Sequence, residues 1–369
     1  MNGSALTTLH ETSGARLRAE PAALLTYGDV PAEYRAAMES AVVFDATDRG
    51  AIDVTGADAA VFLHRLLAND VRKLASGHAQ RNLLLSAKGK VLFDFELVRD
   101  GDTLRLSLSP GRAQALLAAL DMYLFAEKVK LADATASHAP LELCGPASAA
   151  ILRAATGVVM PPLENVADAS AFAKSEFQGA PLVVTRRAVA GSPGFRLDAG
   201  PEKAALLWQA LIDAGARPAG IVVRDILRIE AARAEPDVDI DENVYPQEAR
   251  LEEAFSLDKG CYIGQEVIAK IDTYGGLNKR LVTLKVSHDD PIARGTRLMR
   301  FDDGEWRDLG VVTSWSYSFV LDTGLVLAYV KRRHQKAGTE FRLGDGPATA
   351  TIVKSPVRAN TVPVTGDFE

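Results

Sequence analysis

Lys259-Gly260-Cys261-Tyr262-Ile263-Gly264-Gln265-Glu266 gathers an ammonium, a thiol, an amide and a carboxylate into eight residues punctuated by two glycines. Glycine adopts backbone angles that a Cβ forbids, so the peptide is expected to turn tightly about Cys261. Lys259 stands where it can stabilise the thiolate, the reactive form of cysteine. Two readings of Cys261 follow: a structural turn holding a half-buried cysteine, or a functional thiol.

The surrounding chain bounds what that thiol can do. A length of 369 residues exceeds one hydrophobic core and predicts two or three domains. Apolar residues at 47% and charged residues at 24% are those of an ordinary globular protein. With 42 basic against 48 acidic residues, the net charge of −6 lacks the basic face of a primary nucleic-acid binder. No apolar run approaches the roughly 18 residues that span a bilayer, so no membrane association is expected. The start, M-N-G-S-A-L-T-T-L-H-E-T, does not read as a secretory signal. Cys144 and Cys261 are too few for a zinc cage or a disulfide framework, which predicts a reduced, cytoplasmic protein. No histidine pair has the i, i+4 spacing of a helical metal site, and no phosphate loop is present, so no metal is expected.

Upstream, two stretches look like cousins. A-I-D-V-T-G-A-D-A-A-V-F-L, Ala51–Leu63, reads as a strand ending at Gly56, followed by a helix with Phe62, Leu63, Leu66 and Leu67 on one face. Strands near Asn82–Leu85, Val91–Val98 and Thr103–Leu108, a helix over Arg112–Phe125 and a strand at Val129–Leu131 follow. L-E-L-C-G-P-A-S-A-A-I-L, Leu141–Leu152, repeats the opening, with Pro146 suited to a first helical turn. Strands at Pro181–Arg187 and Gly194–Leu197 and a helix at Lys203–Ala214 complete that stretch. Helices interleaved with antiparallel strands indicate an α+β layer and an internal duplication. The acidic stretch Ala234–Arg250 reads as an exposed loop. Beyond about Leu277, short strands alternate with Gly, Asp and Pro turns, as in a small β-barrel. Asn360–Glu369 reads as a fraying tail.

Two further places offer chemistry. Asp94 lies in the apolar run G-K-V-L-F-D-F-E-L-V, Gly89–Val98, where it is either a buried acid with a purpose or an edge-strand aspartate facing water. Arg224 and Arg228, four apart on a segment expected to be helical, share a face that could receive an anion, or tie the helix together through its own ion pairs.

The octet resembles the hallmark of the YgfZ family of folate-binding proteins, a branch of the glycine cleavage T-protein superfamily. Other runs extend the likeness over nearly the whole chain: Tyr34–Ala59, V-V-R-D-I-L-R-I-E-A at Val222–Ala231, L-G-V-V-T-S at Leu309–Ser314 and G-L-V-L-A-Y-V at Gly324–Val330. The resemblance implies an α+β, three-domain cloverleaf around a central folate cavity. Its domains would be residues 1–50 with 141–275, residues 51–140, and a barrel at 276–369. It implies tetrahydrofolate as cofactor and a role in assembly or repair of iron–sulfur proteins, with assembly or client proteins as partners. The alternative it implies is a folate-dependent aminomethyltransferase. Asp94 matches the acid that T-proteins hold near the reactive folate nitrogen, and Arg224 and Arg228 match the R-D-x-L-R run. The resemblance makes Cys261 and Asp94 the catalytic candidates, with Arg224, Arg228, Ser192, Lys259 and Gln265 joining Asp94 around the folate. One departure stands out. T-proteins carry a pterin-gripping glutamate in G-Y-T-G-E-x-G-F-E, and V-A-G-S-P-G-F-R, Val189–Arg196, has Ser192 there instead. A hydroxyl cannot accept two hydrogen bonds from an aminopyrimidine as a carboxylate does.

Overall fold

A computed structural model describes residues 5–19, 23–161, 170–302, 304–359 and 361. Of the stretch expected to fray, only Thr361 is among them. The chain divides into two compact units, the first formed by residues 1–63, 71–81 and 95–224 and the second by 64–70, 82–94 and 225–369.

The first unit opens with helix α1 (Ala5–Thr12), the hairpin β1 (Arg16–Arg18) and β2 (Ala23–Thr26), helix α2 (Val30–Glu39) and strands β3 (Val42–Asp45) and β4 (Gly50–Thr55). Helix α3 (Ala59–Leu66) and strands β5 (His78–Leu85) and β6 (Val91–Asp100) follow, both strands continuing along the chain into residues of the second unit. Then come β7 (Thr103–Leu108), α4 (Ala113–Asp121), β8 (Lys130–Asp133), β9 (Leu141–Cys144) and α5 (Ser148–Thr156). Strands β10 (Phe172–Phe177), β11 (Ala180–Val189) and β12 (Ser192–Asp198), helix α6 (Ala204–Asp213), β13 (Arg217–Pro218) and α7 (Ile221–Glu230) complete it, α7 running on past Arg224.

These strands make a five-stranded sheet in the order β5-β6-β7-β4-β8 and a six-stranded sheet in the order β10-β11-β12-β9-β3-β13. The two cousin openings take the same form in both. Gly56 follows directly on β4 and Gly145 on β9, with φ +113° and +122°. A Cβ on either would fall within 2.1 Å of the Lys128 carbonyl oxygen or 2.5 Å of that of Ser40. Only glycine fits such an approach, so the strand-to-helix corner is built into the sequence twice. Helix α6 buries Leu207, Trp208 and Leu211 against Leu143, Leu182 and Leu197 of the six-stranded sheet.

In the second unit, α8 (Gln265–Tyr274) precedes a closed barrel of β14 (Lys279–Val286), β15 (Arg297–Asp302), β16 (Glu305–Ser318), β17 (Thr323–Lys331), β18 (Glu340–Leu343) and β19 (Thr349–Ile352). Strand β17 shows why this domain reads as continuous apolar sequence. Val326, Ala328 and Val330 fill the barrel interior. The alternate residues Leu325, Leu327 and Tyr329 pack on a second core with Ile229, Val244, Leu251 and Tyr262. Side chains alternate across a strand, so a strand buried on both faces is apolar at every position. The α+β class and the C-terminal barrel expected from sequence are therefore both present.

Ala234–Arg250 corrects the expectation of an exposed loop. Asp239, Ile240, Val244, Gln247, Glu248 and Arg250 are all buried. Its acids go inside because partners await them: Asp239 accepts from Arg228 at 2.8 Å and Ser314 at 2.6 Å, and Glu248 lies 3.7 Å from Lys90. A buried carboxylate is tolerated where ion pairs and hydrogen bonds replace its water.

Candidate functional site

The octet of the second unit folds as a turn feeding a helix. Gly260 and Gly264 take φ +93° and +83°, and Gly264 caps α8, whose first residue is the half-buried Gln265. Cys261 is exposed between the two glycines, whereas Cys144 is buried in β9. Lys259 is only 6% exposed. Its Nζ donates to the carbonyl oxygen of His64, and the His64 ring nitrogen Nε2 lies 3.2 Å from the carbonyl oxygen of Lys259. The ammonium therefore clamps two peptide segments and also sits 5.1 Å from the Tyr262 ring. The Tyr262 hydroxyl is buried, and burial pushes it up to about 12.

Asp94 lies on β6, which has neighbours on both sides in its sheet, and is only 9% exposed. The buried reading of this acid holds, and the water-facing one does not. Ser192 begins β12 directly after the two-residue turn Ala190-Gly191, both at positive φ, and is 3% exposed. The stretch aligned with the pterin-gripping run is thus a tight hairpin with an inward hydroxyl.

The two arginines of α7 part company. Arg228 is 4% exposed and bonded to Asp225 at 2.6 Å, Asp239 at 2.8 Å and Ser314 at 3.0 Å, all in the second unit. Arg224 belongs to the first unit, where its Nε lies 3.5 Å from Glu142 Oε2.

Around Glu142 the first unit builds a cluster that sequence reading missed. Glu142 of β9 stands directly across from Arg196 of β12, and the two meet at 3.2 Å. Arg187 of β11 approaches Glu142 at 3.4 Å and Glu96 of β6 at 3.3 Å. Arg196 also donates to Glu96 at 2.6 Å and to the Ser107 hydroxyl at 2.9 Å. Burial would raise the Glu142 carboxyl, but the charges of Arg187, Arg49 and Arg224 outweigh it and hold the group down at about 2. Burial works against the Arg187 cation too, and Glu96 and Glu142 more than offset it, leaving Arg187 above its ordinary value. The signal for this cluster was present in the runs L-E-L-C and F-E-L-V, where single acids interrupt apolar strands. Among the described residues, no group of three or more His, Cys, Asp or Glu side chains is placed to hold a metal ion.

Comparison with known proteins gives this geometry its context. Residues 25–259 match the GCVT N-terminal domain, and residues 279–357 match the glycine cleavage T-protein C-terminal barrel domain. The chain belongs to the glycine cleavage T-protein family. An aminomethyltransferase of Chlorobium limicola is 31% identical over 92% of this chain and 94% of its own length. One from Symbiobacterium thermophilum is 32% identical over 86% of this chain and 85% of its own. The crystal structure of glycine cleavage system aminomethyltransferase T from Bartonella henselae superimposes with a TM-score of 0.84 at 26% identity, covering 96% of this chain and 98% of that one. The family's two-part signature spans both α+β sheets and the barrel, as the resemblance of the R-D-x-L-R and barrel runs implied. These relatives bear the name aminomethyltransferase, so they support the transferase alternative over the iron–sulfur reading. Among the described residues no helix is long and apolar enough to cross a membrane.

Proposed function

We propose that the chain is a tetrahydrofolate-dependent one-carbon transferase of the aminomethyltransferase type. The observation that carries the folate reading is how the cluster at Glu142 presents its charge. Glu142 is 1% exposed, while Arg187 and Arg224 keep 21% and 16% of their side chains accessible beside it. The acid is hidden and the cations are shown, which suits the anionic glutamyl end of a folate. The residues of the Glu142 cluster therefore fit the anionic end of the cofactor, with Arg224 in the role of tail cation, while the family resemblance makes Asp94 the acid for the folate's reacting nitrogen. Bound tetrahydrofolate would supply the nitrogen that accepts the one-carbon unit. The buried position of Asp94 suits a carboxylate whose charge must act on a ligand rather than on water. Lys259, clamped to His64, and Gln265 at the start of α8 take the supporting roles of shaping the octet. Arg228 belongs to the fold.

Titration with tetrahydrofolate tests this. A ligand at 100 times its dissociation constant stabilises the fold by about 2.7 kcal/mol, visible as a higher melting temperature. Asp94→Ala should abolish aminomethyl transfer from a lipoyl carrier protein to tetrahydrofolate. Absence of both binding heat and thermal stabilisation at saturating folate would sink the proposal.

A second reading, a YgfZ-type role in maintaining iron–sulfur proteins, is favoured by the exposed Cys261 on its glycine-bounded turn and by Ser192 at the pterin-gripping position. It predicts folate binding without aminomethyl transfer. It also predicts loss of iron–sulfur enzyme activity in cells carrying Cys261→Ser.

A further inference from the structure

Within the first unit lies a cavity of about 50 Å³ bordered by Arg49, Glu96, Ser107, His138, Arg196 and Asp198. A water needs about 10–15 Å³ of such space, so the cavity admits a few waters or one small anion. Two features of its wall point to an acceptor. Arg196 is 8% exposed, and although its terminal nitrogens are bonded to Glu96, Ser107 and Glu142, its buried Nε–H has no acceptor among the described residues. An unsatisfied donor on a buried cation is costly, and an incoming oxygen would relieve it. His138 is held through Nδ1 by Asp198 Oδ2, which also receives backbone support from Ala139 and Gly200 on its other oxygen. That bond fixes the ring and leaves Nε2 as its remaining polar atom in a residue that borders the cavity.

We propose that this cavity binds a monoanion of formate size, held between the Arg196 Nε–H and a protonated His138 Nε2. The charge of the wall explains the proton. Arg105, also on the border, already faces Asp53 at 2.7 Å, Arg196 faces Glu96, and His138 faces Asp198. Arg49 stands within the field of the neighbouring Asp48. The arginines are thus matched before anything binds, Asp198 faces a neutral His138, and an anion would enter as excess negative charge. Uptake of one proton on His138, stabilised by Asp198, restores the balance. The reverse also holds, since a proton on His138 is favoured by an anion on its far side. The site shares Arg196 and Glu96 with the Glu142 cluster but takes a ligand other than tetrahydrofolate, and so extends beyond the transferase reading.

Calorimetry with sodium formate, run at constant ionic strength on the full chain, tests the proposal. Saturable binding is expected, with uptake of about one proton revealed by comparing two buffers of different ionisation heat. Affinity should fall about tenfold per pH unit where the free imidazole is neutral. Nitrate, planar and of similar size, should compete, whereas benzoate should not. His138→Gln keeps a donor but cannot take the proton, so its binding should be weak and independent of pH. Arg196→Lys keeps the charge but removes Nε, and should lose binding. His138→Gln decides the matter if Arg196→Lys fails to fold. Unsaturable heats would mean that the cavity holds water only, and equal pH-independent binding in wild type and His138→Gln would mean that the anion binds without His138; either result would overturn the proposal. A failure of tetrahydrofolate to bind would leave this test unaffected.

Discussion

Gly264 and Gly89 lie back to back: a methyl group added to Gly264 would come 2.6 Å from the Ser86 carbonyl oxygen and 3.0 Å from the Gly89 Cα. The S-A-K-G-K turn that leads into the Asp94 strand is thereby packed, backbone on backbone, against the turn that carries Cys261. Gly264→Ala meets both this clash and a φ of +83°. Gly260, at φ +93°, has nothing within 4 Å of an added methyl and meets only the conformational cost. That cost alone is roughly 1–2 kcal/mol. Urea unfolding should show Gly264→Ala losing clearly more than Gly260→Ala. Equal losses would show that the two turns are not held in contact in solution.

Arg228 and Arg224 separate stability from binding. Removing Arg228 leaves Asp239, whose side chain is fully buried, without its cation. Breaking a buried pair from one side costs about 3–5 kcal/mol. Arg228→Ala is therefore expected to melt early, yet to gain about the same stabilisation from folate as wild type does, since its folate contacts are intact. Arg224→Ala should fold, because its contact with Glu142 is longer and partly solvated. It should weaken tetrahydrofolate by at least about tenfold, the value of one charge-assisted hydrogen bond of roughly 1.5–3 kcal/mol. Similar folate affinity in wild type and Arg224→Ala would remove Arg224 from the binding role.

The pH dependence of stability should carry the signature of Glu142. Its folded value, about 2, lies below the ordinary 4.5. A depressed carboxylate contributes stability that is fully present above the unfolded value and is lost as pH falls through the folded one. The loss is therefore expected between about pH 4.5 and pH 2, and a shift of this size corresponds to about 3 kcal/mol. In Glu142→Gln that part of the acid limb should flatten, while stability at neutral pH falls because Arg187, Arg196 and Arg224 lose their carboxylate. An unchanged acid limb would show that the cluster is not the source.

The strands and helices near Ala51–Leu67 and Leu141–Leu152 were legible because their apolar spacing and corner glycines are local signals. Asp94 was legible as an acid in an apolar run. The Glu142 cluster was not, since its ion pair with Arg196 joins residues 54 apart, and neither residue type betrays its partner. Ala234–Arg250 misled for the same reason. Asp239 is bonded to Ser314, 75 residues downstream, so an acidic, irregular segment became core. Helix α8 was hidden because its N-cap is a left-handed glycine inside the octet rather than a Ser, Thr or Asp. Lys259 was read beside the thiol, and its ammonium donates to the His64 carbonyl, a partner 195 residues away that no local signal announces.

Cys261 gives the test that divides the two functional readings. It is exposed, whereas Cys144 is fully buried in β9. A disulfide-exchange reagent at neutral pH should label Cys261 rapidly and leave Cys144 unreacted until the protein unfolds. Cys261→Ser is an exposed, near-isosteric change and should stay within about 0.5 kcal/mol of wild type. Cys144→Ser exchanges a fully buried thiol for a hydroxyl and should be clearly less stable. If the chain is an aminomethyltransferase, Cys261→Ser retains full transfer of the aminomethyl group to tetrahydrofolate, because the reaction has no use for a second thiol. If it serves iron–sulfur proteins, that variant binds tetrahydrofolate normally and fails to restore iron–sulfur enzyme activity in deficient cells. Full transfer together with full complementation would make the octet a folding turn, with Lys259 and Gly264 as its working parts.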